Sequence, residues 1–161
     1  MTAQADPYTD RPTSFPWPPV LVAAGVLAGW YLQRVAPLPW PGLDDLGARI
    51  VGLGFGIAGV ALAAWAAFTM WRHNTTVLPH RGVTALVTDG PFARWRNPIY
   101  IADVLLIFFF AELTKSMWVV LFAPVFIMLV TWLAILPEER HLTARFGDAY
   151  RDYQSRTKRW L

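Results

Sequence analysis

The chain has 161 residues, about one domain, of which 55% are apolar and only 16% are charged, with a net charge of +3. Soluble domains usually carry about 25% charged residues. This composition, with a mean hydropathy of +0.36, excludes an ordinary soluble globule and indicates a small, all-α, multi-pass membrane protein. The absence of cysteine excludes disulfides, thiolate zinc sites, iron–sulfur clusters and a cysteine nucleophile.

Four apolar stretches follow a short polar lead. Residues 1–16 contain several prolines and one basic residue, so they lack the basic start of a signal peptide and are expected to form an extramembrane tail. A membrane-spanning helix needs about 17 to 25 residues. By that measure the second and fourth stretches are long enough, and the first and third are short. We predict about four transmembrane helices, at Val20–Leu32, Ile50–Trp71, Ile99–Ala111 and Val119–Leu136.

Basic residues are concentrated after the second and fourth stretches, which are followed by ten of the 14 lysines and arginines. These are Arg72, Arg81, Arg94 and Arg96, and then Arg140, Arg145, Arg151, Arg156, Lys158 and Arg159. Because cytoplasmic loops are enriched in basic residues, both termini and the loop after the second span are expected in the cytoplasm. This asymmetry explains the net charge, and no nucleic-acid partner is needed.

The glycines of the first two spans permit two interpretations. Residues 54–59 satisfy the G-x-G-x-x-G pattern of dinucleotide-binding sites, but no strand precedes them and no acidic residue follows at the right distance. The pairs Gly25 and Gly29, and Gly52 and Gly56, have the spacing of closely packed membrane helices. We therefore favour the packing interpretation.

The loop before the third span contains turn and capping residues. Asp89-Gly90-Pro91 is typical of a turn, and Asn97-Pro98 predicts an N-cap followed by the first residue of a helix. Such a helix start suits an anionic group, and Arg94 and Arg96 reinforce the positive field. An ordinary helix start flanked by snorkelling arginines explains the same pattern, and both readings stay open.

The segment after the fourth span combines acidic, basic and aromatic residues. Pro137 predicts a helix start, and Gly147-Asp148 predicts the end of one helix and the cap of the next. We expect two amphipathic helices on the cytoplasmic face, against anionic lipid. Their apolar positions recur at helical spacing: Leu142, Phe146, Tyr150 and Tyr153.

Glu138 and Glu139 begin this segment. An acidic pair at a membrane boundary often only favours a helix N-terminus. It is also placed to meet a cationic cofactor, because the loop before the third span emerges on the same side. The three histidines have no metal-ligand spacing, so no metal site is expected.

Together, these clusters resemble the superfamily of isoprenylcysteine carboxyl methyltransferases and phospholipid methyltransferases, which are integral membrane enzymes. The resemblance covers about residues 72–161 and rests on Leu86–Phe92, Arg96–Tyr100, Glu138–Glu139 and Phe146–Tyr150. It implies a single membrane-embedded methyltransferase domain over residues 1–161. Residues 17–71 would supply the first two spans, and residues 72–161 the cofactor-binding half.

The resemblance implies S-adenosyl-L-methionine as cofactor, bound on the cytoplasmic side of a multi-pass protein of the bacterial inner membrane. Glu139 and Arg145 match positions with catalytic or substrate-orienting groups. The sequence differs at Asn97, where isoprenylcysteine enzymes usually have histidine, and at Phe92, where tyrosine is usual. The implied cofactor-binding residues are Thr84, Ala85, Leu86, Val87, Phe92, Asn97, Pro98, Ile99, Tyr100 and Glu138.

The expected acceptor is lipophilic and resembles an isoprenylcysteine carboxylate. The bidentate guanidinium of Arg145 would hold an acceptor carboxylate or a lipid phosphate. The alternatives are N-methylation of a phospholipid amine and S-methylation of a small thiol. A different class of function is a non-enzymatic membrane subunit or small transporter, in which the same charged residues would be surface charge. Membrane lipids are the expected surroundings in every case.

Overall fold

The structure is a computed structural model that describes residues 17–40, 46–75 and 85–161. Within these ranges there is no β-strand, so the all-α prediction is confirmed. The predicted tail, residues 1–16, lies outside the described residues, as does Thr84. The helices are α1 (Trp17–Val35), α2 (Leu46–Arg72), α3 (Pro98–Thr114), α4 (Met117–Val130), α5 (Leu136–Phe146) and α6 (Asp148–Arg156).

Helices α1 to α4 form one bundle, in which α2 packs against α3, α3 against α4, and α4 against α1. The outer faces are apolar as well: on α2, Ile57 is 62% exposed and Val60 60%. A helix that is apolar on all sides suits a lipid environment rather than water. The buried core of the bundle includes Ile107, Ala111, Val119, Ala123, Phe126 and Val130.

Among the described residues, two helical segments are long and apolar enough to cross a membrane: α2, and the continuous helix Met117–Phe146 that contains α4 and α5. Their most apolar stretches are only 22% and 33% buried, unlike the core helix of a soluble protein. The first and third predicted spans correspond to α1 and α3, with 19 and 17 residues. Neither helix is both long enough and apolar enough to be identified as a membrane span by itself. The structure therefore supports two of the four predicted spans, with α1 and α3 packed beside them.

The glycine pairs Gly25–Gly29 and Gly52–Gly56 lie where helices approach closely, as the packing interpretation predicted. A Cβ atom built on Gly29 would lie 2.7 Å from Val119 Cγ2, and one on Gly56 would lie 2.8 Å from Phe109 Cδ2. No atom lies within 4 Å of a Cβ on Gly54. The third glycine of this pattern, Gly59, also lies in close contact, 3.1 Å from Ala102 O.

A π-helical turn, Thr131–Ile135, joins α4 to α5 without interrupting the helix. Pro137 lies in the first turn of α5, as predicted, but α5 continues from α4 and is not a separate helix. The physical reason is the π-turn, in which the Leu136 N–H donates to Thr131 O, five residues back. This wider turn accommodates a proline that lacks an N–H and would clash with the preceding turn of a regular α-helix.

Gly147 separates α5 from α6, as predicted, and its φ of 55° lies in the region that glycine favours. Asp148 does not cap α6 through its side chain; its carboxylate pairs with Arg151 at 2.6 Å. Tyr150 and Tyr153 are buried against the protein. The apolar face of α6 therefore covers the loop before α3 rather than the expected lipid surface.

Candidate active site

A cleft lies between α5, α6 and the loop before α3. Its cavity volume is about 50 Å³, and the cleft is partly open to the surface. The lining is mostly apolar, with two carboxylates from α5 and a guanidinium from the loop. The lining residues are Met70, Thr75, Ala85, Leu86, Val87, Phe92, Arg96, Asn97, Glu138, Glu139, Leu142, Tyr150 and Tyr153.

Tyr100 and Glu138 connect the two sides of the cleft. The Tyr100 hydroxyl, in the first turn of α3, donates to Glu138 Oε2 at 3.2 Å. The Tyr100 side chain is 7% exposed and belongs to the bundle core. The partner of the Glu138 carboxylate is therefore a neutral phenol held in fixed position by core packing.

Glu139 has charged partners instead. Arg159 donates from Nε to Oε1 at 2.9 Å and from Nη2 to Oε2 at 2.7 Å, in a bidentate pair. The Nε of Arg96 lies 3.5 Å from Glu139 Oε1. The hydrogen bonds with Glu139 raise the pKa of the Arg159 guanidinium. Two adjacent carboxylates at one cleft therefore have different electrostatic environments.

The C-terminal segment, residues 157–161, is fastened to the loop before α3. The Arg96 N–H donates to Lys158 O at 2.8 Å, and the Lys158 N–H donates to Arg94 O at 3.0 Å. Asn97 Nδ2 donates to Arg159 O at 3.0 Å. Asn97 occupies the N-cap position of α3, but its side chain does not make the predicted capping bond because it binds this segment.

Tyr153 ties α6 to the same loop, since its hydroxyl donates to Phe92 O at 2.8 Å. Burial raises the pKa of Tyr153 to about 12. Burial, with Glu139 and Glu138 nearby, also raises the pKa of Tyr150. Both phenols therefore stay protonated at physiological pH and can act as hydrogen-bond donors.

The structure brings most of the predicted site residues together. Pro98 is buried in the first turn of α3 and Ile99 is half-buried, and neither lines the cleft. Arg145 is exposed on α5, away from the lining, so the structure does not bring it to the cleft with Glu139. Thr84 lies outside the described residues. The predicted site residues that line the cleft are Ala85, Leu86, Val87, Phe92, Asn97, Glu138 and Glu139, and Tyr100 is bound to Glu138.

Six lining residues were not among the predicted site residues, and Arg159, which binds Glu139, was not predicted either. The six are Met70, Thr75, Arg96, Leu142, Tyr150 and Tyr153. The i, i+3 spacing of the two tyrosines placed them on one face of α6, but the sequence did not reveal what that face covers. Arg159 was considered only as a basic residue that fixes membrane orientation, and Arg96 also as part of the positive field at the start of α3. Their pairing with Glu139 depends on the path of the C-terminal segment, which no local pattern predicts.

Comparison with known families adds an independent finding. Residues 48–149 match the model of the phospholipid methyltransferase family. The chain belongs to this family. No curated protein and no solved structure matches it significantly. The matched range runs from the start of α2 to the start of α6 and contains Tyr100, Glu138 and Glu139. As a member of the phospholipid methyltransferase family, the protein is a membrane methyltransferase.

Proposed function

We propose that the protein transfers a methyl group from S-adenosyl-L-methionine to a lipophilic acceptor, and that the cleft beside α5 is its active site. The hydrogen bond between Tyr100 and Glu138 carries this proposal. It joins two segments 38 residues apart that both lie within the family match. The resemblance assigned both segments to the cofactor, and a shared cleft is what that assignment requires.

The cleft offers groups that suit this cofactor. The Glu138 carboxylate can attract the positively charged donor, because opposite charges within a few ångströms stabilise each other strongly in a partly buried site. Phe92 and Tyr150 provide aromatic rings for a planar base, and Leu86 and Val87 provide apolar walls. The residues present therefore fit the group, with Glu138, Asn97 and the loop side chains as its holders.

When bound, S-adenosylmethionine supplies an electrophilic methyl group that an acceptor takes by in-line displacement. The chain's contribution is to align the two reactants and exclude water, effects that supply much of the rate in such reactions. Tyr100 orients the Glu138 carboxylate. For an amine acceptor, Glu138 can also accept the proton that the amine loses.

An amine headgroup fits the cleft better than the carboxylate-type acceptor expected from the resemblance. Arg145, the residue expected to hold an acceptor carboxylate or a lipid phosphate, is exposed and outside the lining, so the preference rests on Glu138. Glu138 faces the cleft with a neutral partner and can receive a proton. One observation favours the carboxylate as a second candidate: the Arg96 guanidinium also lines the cleft.

We further propose that α1 and α3 cross the membrane with α2 and the long helix Met117–Phe146, giving four spans. Ten of the 14 basic residues follow the second and fourth spans, and cytoplasmic loops are enriched in such residues. The cleft lies at this end of the bundle. A cytoplasmic cofactor would enter from water, while a lipophilic acceptor would arrive laterally from the bilayer.

The test uses purified protein in detergent, S-adenosylmethionine with a labelled methyl group, and two acceptors: phosphatidylethanolamine and a farnesylated cysteine derivative with a free carboxylate. We expect label in the phospholipid, and at least tenfold less after Glu138→Gln. Label in the prenylated cysteine alone would establish the second candidate. Transfer to neither acceptor, with no binding of S-adenosylhomocysteine, would indicate a non-enzymatic membrane subunit.

A further inference from the structure

The pairing between Arg159 and Glu139 distinguishes the roles of the two adjacent carboxylates. Glu139 lies at the cleft with its side chain only 12% exposed, and both of its oxygens accept hydrogen bonds from Arg159. A carboxylate this buried is costly to leave without a cation, because its hydration has been removed. The bidentate pair therefore neutralises Glu139 and fixes its orientation.

The second arginine near Glu139 is Arg96, whose close hydrogen bonds are made to other residues. Arg96 Nη1 donates to the backbone oxygens of Gln154 and Thr157, at the end of α6. Its Nε lies 3.5 Å from Glu139 Oε1, which is long for a charged hydrogen bond. Arg96 thus holds the C-terminal segment in place, and Arg159 provides the close contacts to Glu139.

We propose that Arg159 is a positioning residue for the cleft: it holds Glu139 as a fixed, neutralised carboxylate and leaves Glu138 as the carboxylate that meets the cationic cofactor. This proposal rests on the proposed function of the cleft. Arg159 lies beyond residue 149, where the family match ends. The role of Arg159 is therefore inferred from its contacts with Glu139.

The position of Arg159 permits a clean test. The backbone of this segment is bound independently of the Arg159 side chain, by the two bonds between Lys158 and residues 94 and 96 and by Asn97. Replacing the side chain therefore removes the pair with Glu139 and leaves the backbone attachments of the segment. Arg151, which is exposed and pairs with Asp148, is a matched control.

The experiment is calorimetric titration of S-adenosylhomocysteine into the full chain and its variants Arg159→Gln, Arg159→Lys, Glu139→Gln, Arg159→Gln with Glu139→Gln, and Arg151→Gln. We expect Arg159→Gln to weaken affinity about tenfold, the lower end for a charged hydrogen bond, because Arg159 is 40% exposed. Arg159→Lys should recover part of the loss, and Arg151→Gln should equal the wild type. The double variant should bind S-adenosylhomocysteine no more weakly than the weaker-binding of the two single variants.

If the double variant loses affinity by the product of the two single losses, Arg159 acts independently of Glu139, and the proposal is overturned. Unchanged or tighter binding by Arg159→Gln in a protein that unfolds at the wild-type temperature would overturn it as well. In the methyl-transfer assay, an effect of Arg159→Gln on the KM for the acceptor alone would also overturn the proposal, because Arg159 would then contact the substrate directly. Absence of binding by the wild type is a distinct result, which overturns the proposed function and with it this assignment.

Discussion

At the scale of single residues, the two sides of the cleft are joined by a phenol packed in the bundle and a carboxylate on α5. Tyr100 packs among core residues of α3 and α4 while its hydroxyl binds Glu138. The ring thus contributes to stability, and the hydroxyl contributes to the site. Phenylalanine separates these two contributions, because it retains the ring.

We expect Tyr100→Phe to weaken binding of S-adenosylhomocysteine about tenfold, which corresponds to about 1.4 kcal/mol, close to the usual range for a hydrogen bond to a charged group. The apparent unfolding temperature should change little. Calorimetric titration and thermal unfolding in detergent measure the two effects. Tyr31→Phe, on an exposed position of α1, is the control. Equal affinities of Tyr100→Phe and the wild type would remove Tyr100 from the site.

Glu139 and Arg145 allow a second comparison at this scale. They are six residues apart on α5, about 240° after a full turn is removed, and only Glu139 reaches the cleft. We expect Glu139→Ala to lower methyl transfer at least tenfold, since it leaves buried arginine charge without its partner. Arg145→Ala should stay within about twofold. A large loss of turnover in Arg145→Ala would restore the catalytic role that the resemblance implied.

How much of the site can be predicted from the sequence depends on how far apart along the chain the contacting residues lie. Leu86 to Tyr100 and the Glu138–Glu139 pair are contiguous segments, so short motifs identify them. Arg159 contacts Glu139 across 20 residues and a chain reversal at Gly147. Its side chain looks like any other arginine of a basic tail. Local patterns carry no information about that contact.

At the scale of elements, glycines set the distance between helices. Gly29 lies against the backbone of Val119, with a hypothetical Cβ 3.0 Å from its nitrogen. Ser116 at the start of α4 donates from Oγ to Gly29 O at 2.8 Å, which fixes the register of α1 against α4. The sequence predicted close packing from glycine spacing alone, because small residues are what helices in lipid need at contacts.

We expect Gly29→Ala to lower the apparent unfolding temperature by several degrees, since forcing a methyl group into a packed contact costs about 1–3 kcal/mol. Gly54→Ala is the matched control on α2. Its Cβ would meet open space, and alanine favours a helix over glycine by about 0.5–1 kcal/mol. Thermal unfolding in detergent compares the two. Equal destabilisation by both changes would contradict close packing at Gly29.

The junction between α4 and α5 shows where element prediction fails. Pro137 suggested a new helix because proline is frequent in the first turn. The preceding π-turn, Thr131–Ile135, accommodates the proline and lets the helix continue to Phe146. As a result, Glu138 and Glu139 lie on the direct continuation of α4, a helix of the bundle. A π-turn has no strong sequence signature, so composition did not predict this continuity.

At the scale of the whole molecule, the charge distribution predicts that both termini face the cytoplasm. Fusing alkaline phosphatase or green fluorescent protein to either end should give fluorescence and no periplasmic phosphatase activity in both cases. The physical reason is the retention of basic segments on the cytoplasmic side. Termini on opposite sides would require an odd number of spans and would contradict the four-span arrangement.

At this scale, we propose that one cleft, formed by residues 85–97, α5 and the C-terminal segment, binds the methyl donor. Hydrogen–deuterium exchange of the full chain in detergent, with and without S-adenosylhomocysteine, tests it most directly. We predict slower exchange with the ligand in peptides covering residues 85–97 and 157–161, and no change in α1. Unchanged exchange in these peptides at a saturating ligand concentration, or protection confined to other regions, would contradict the account.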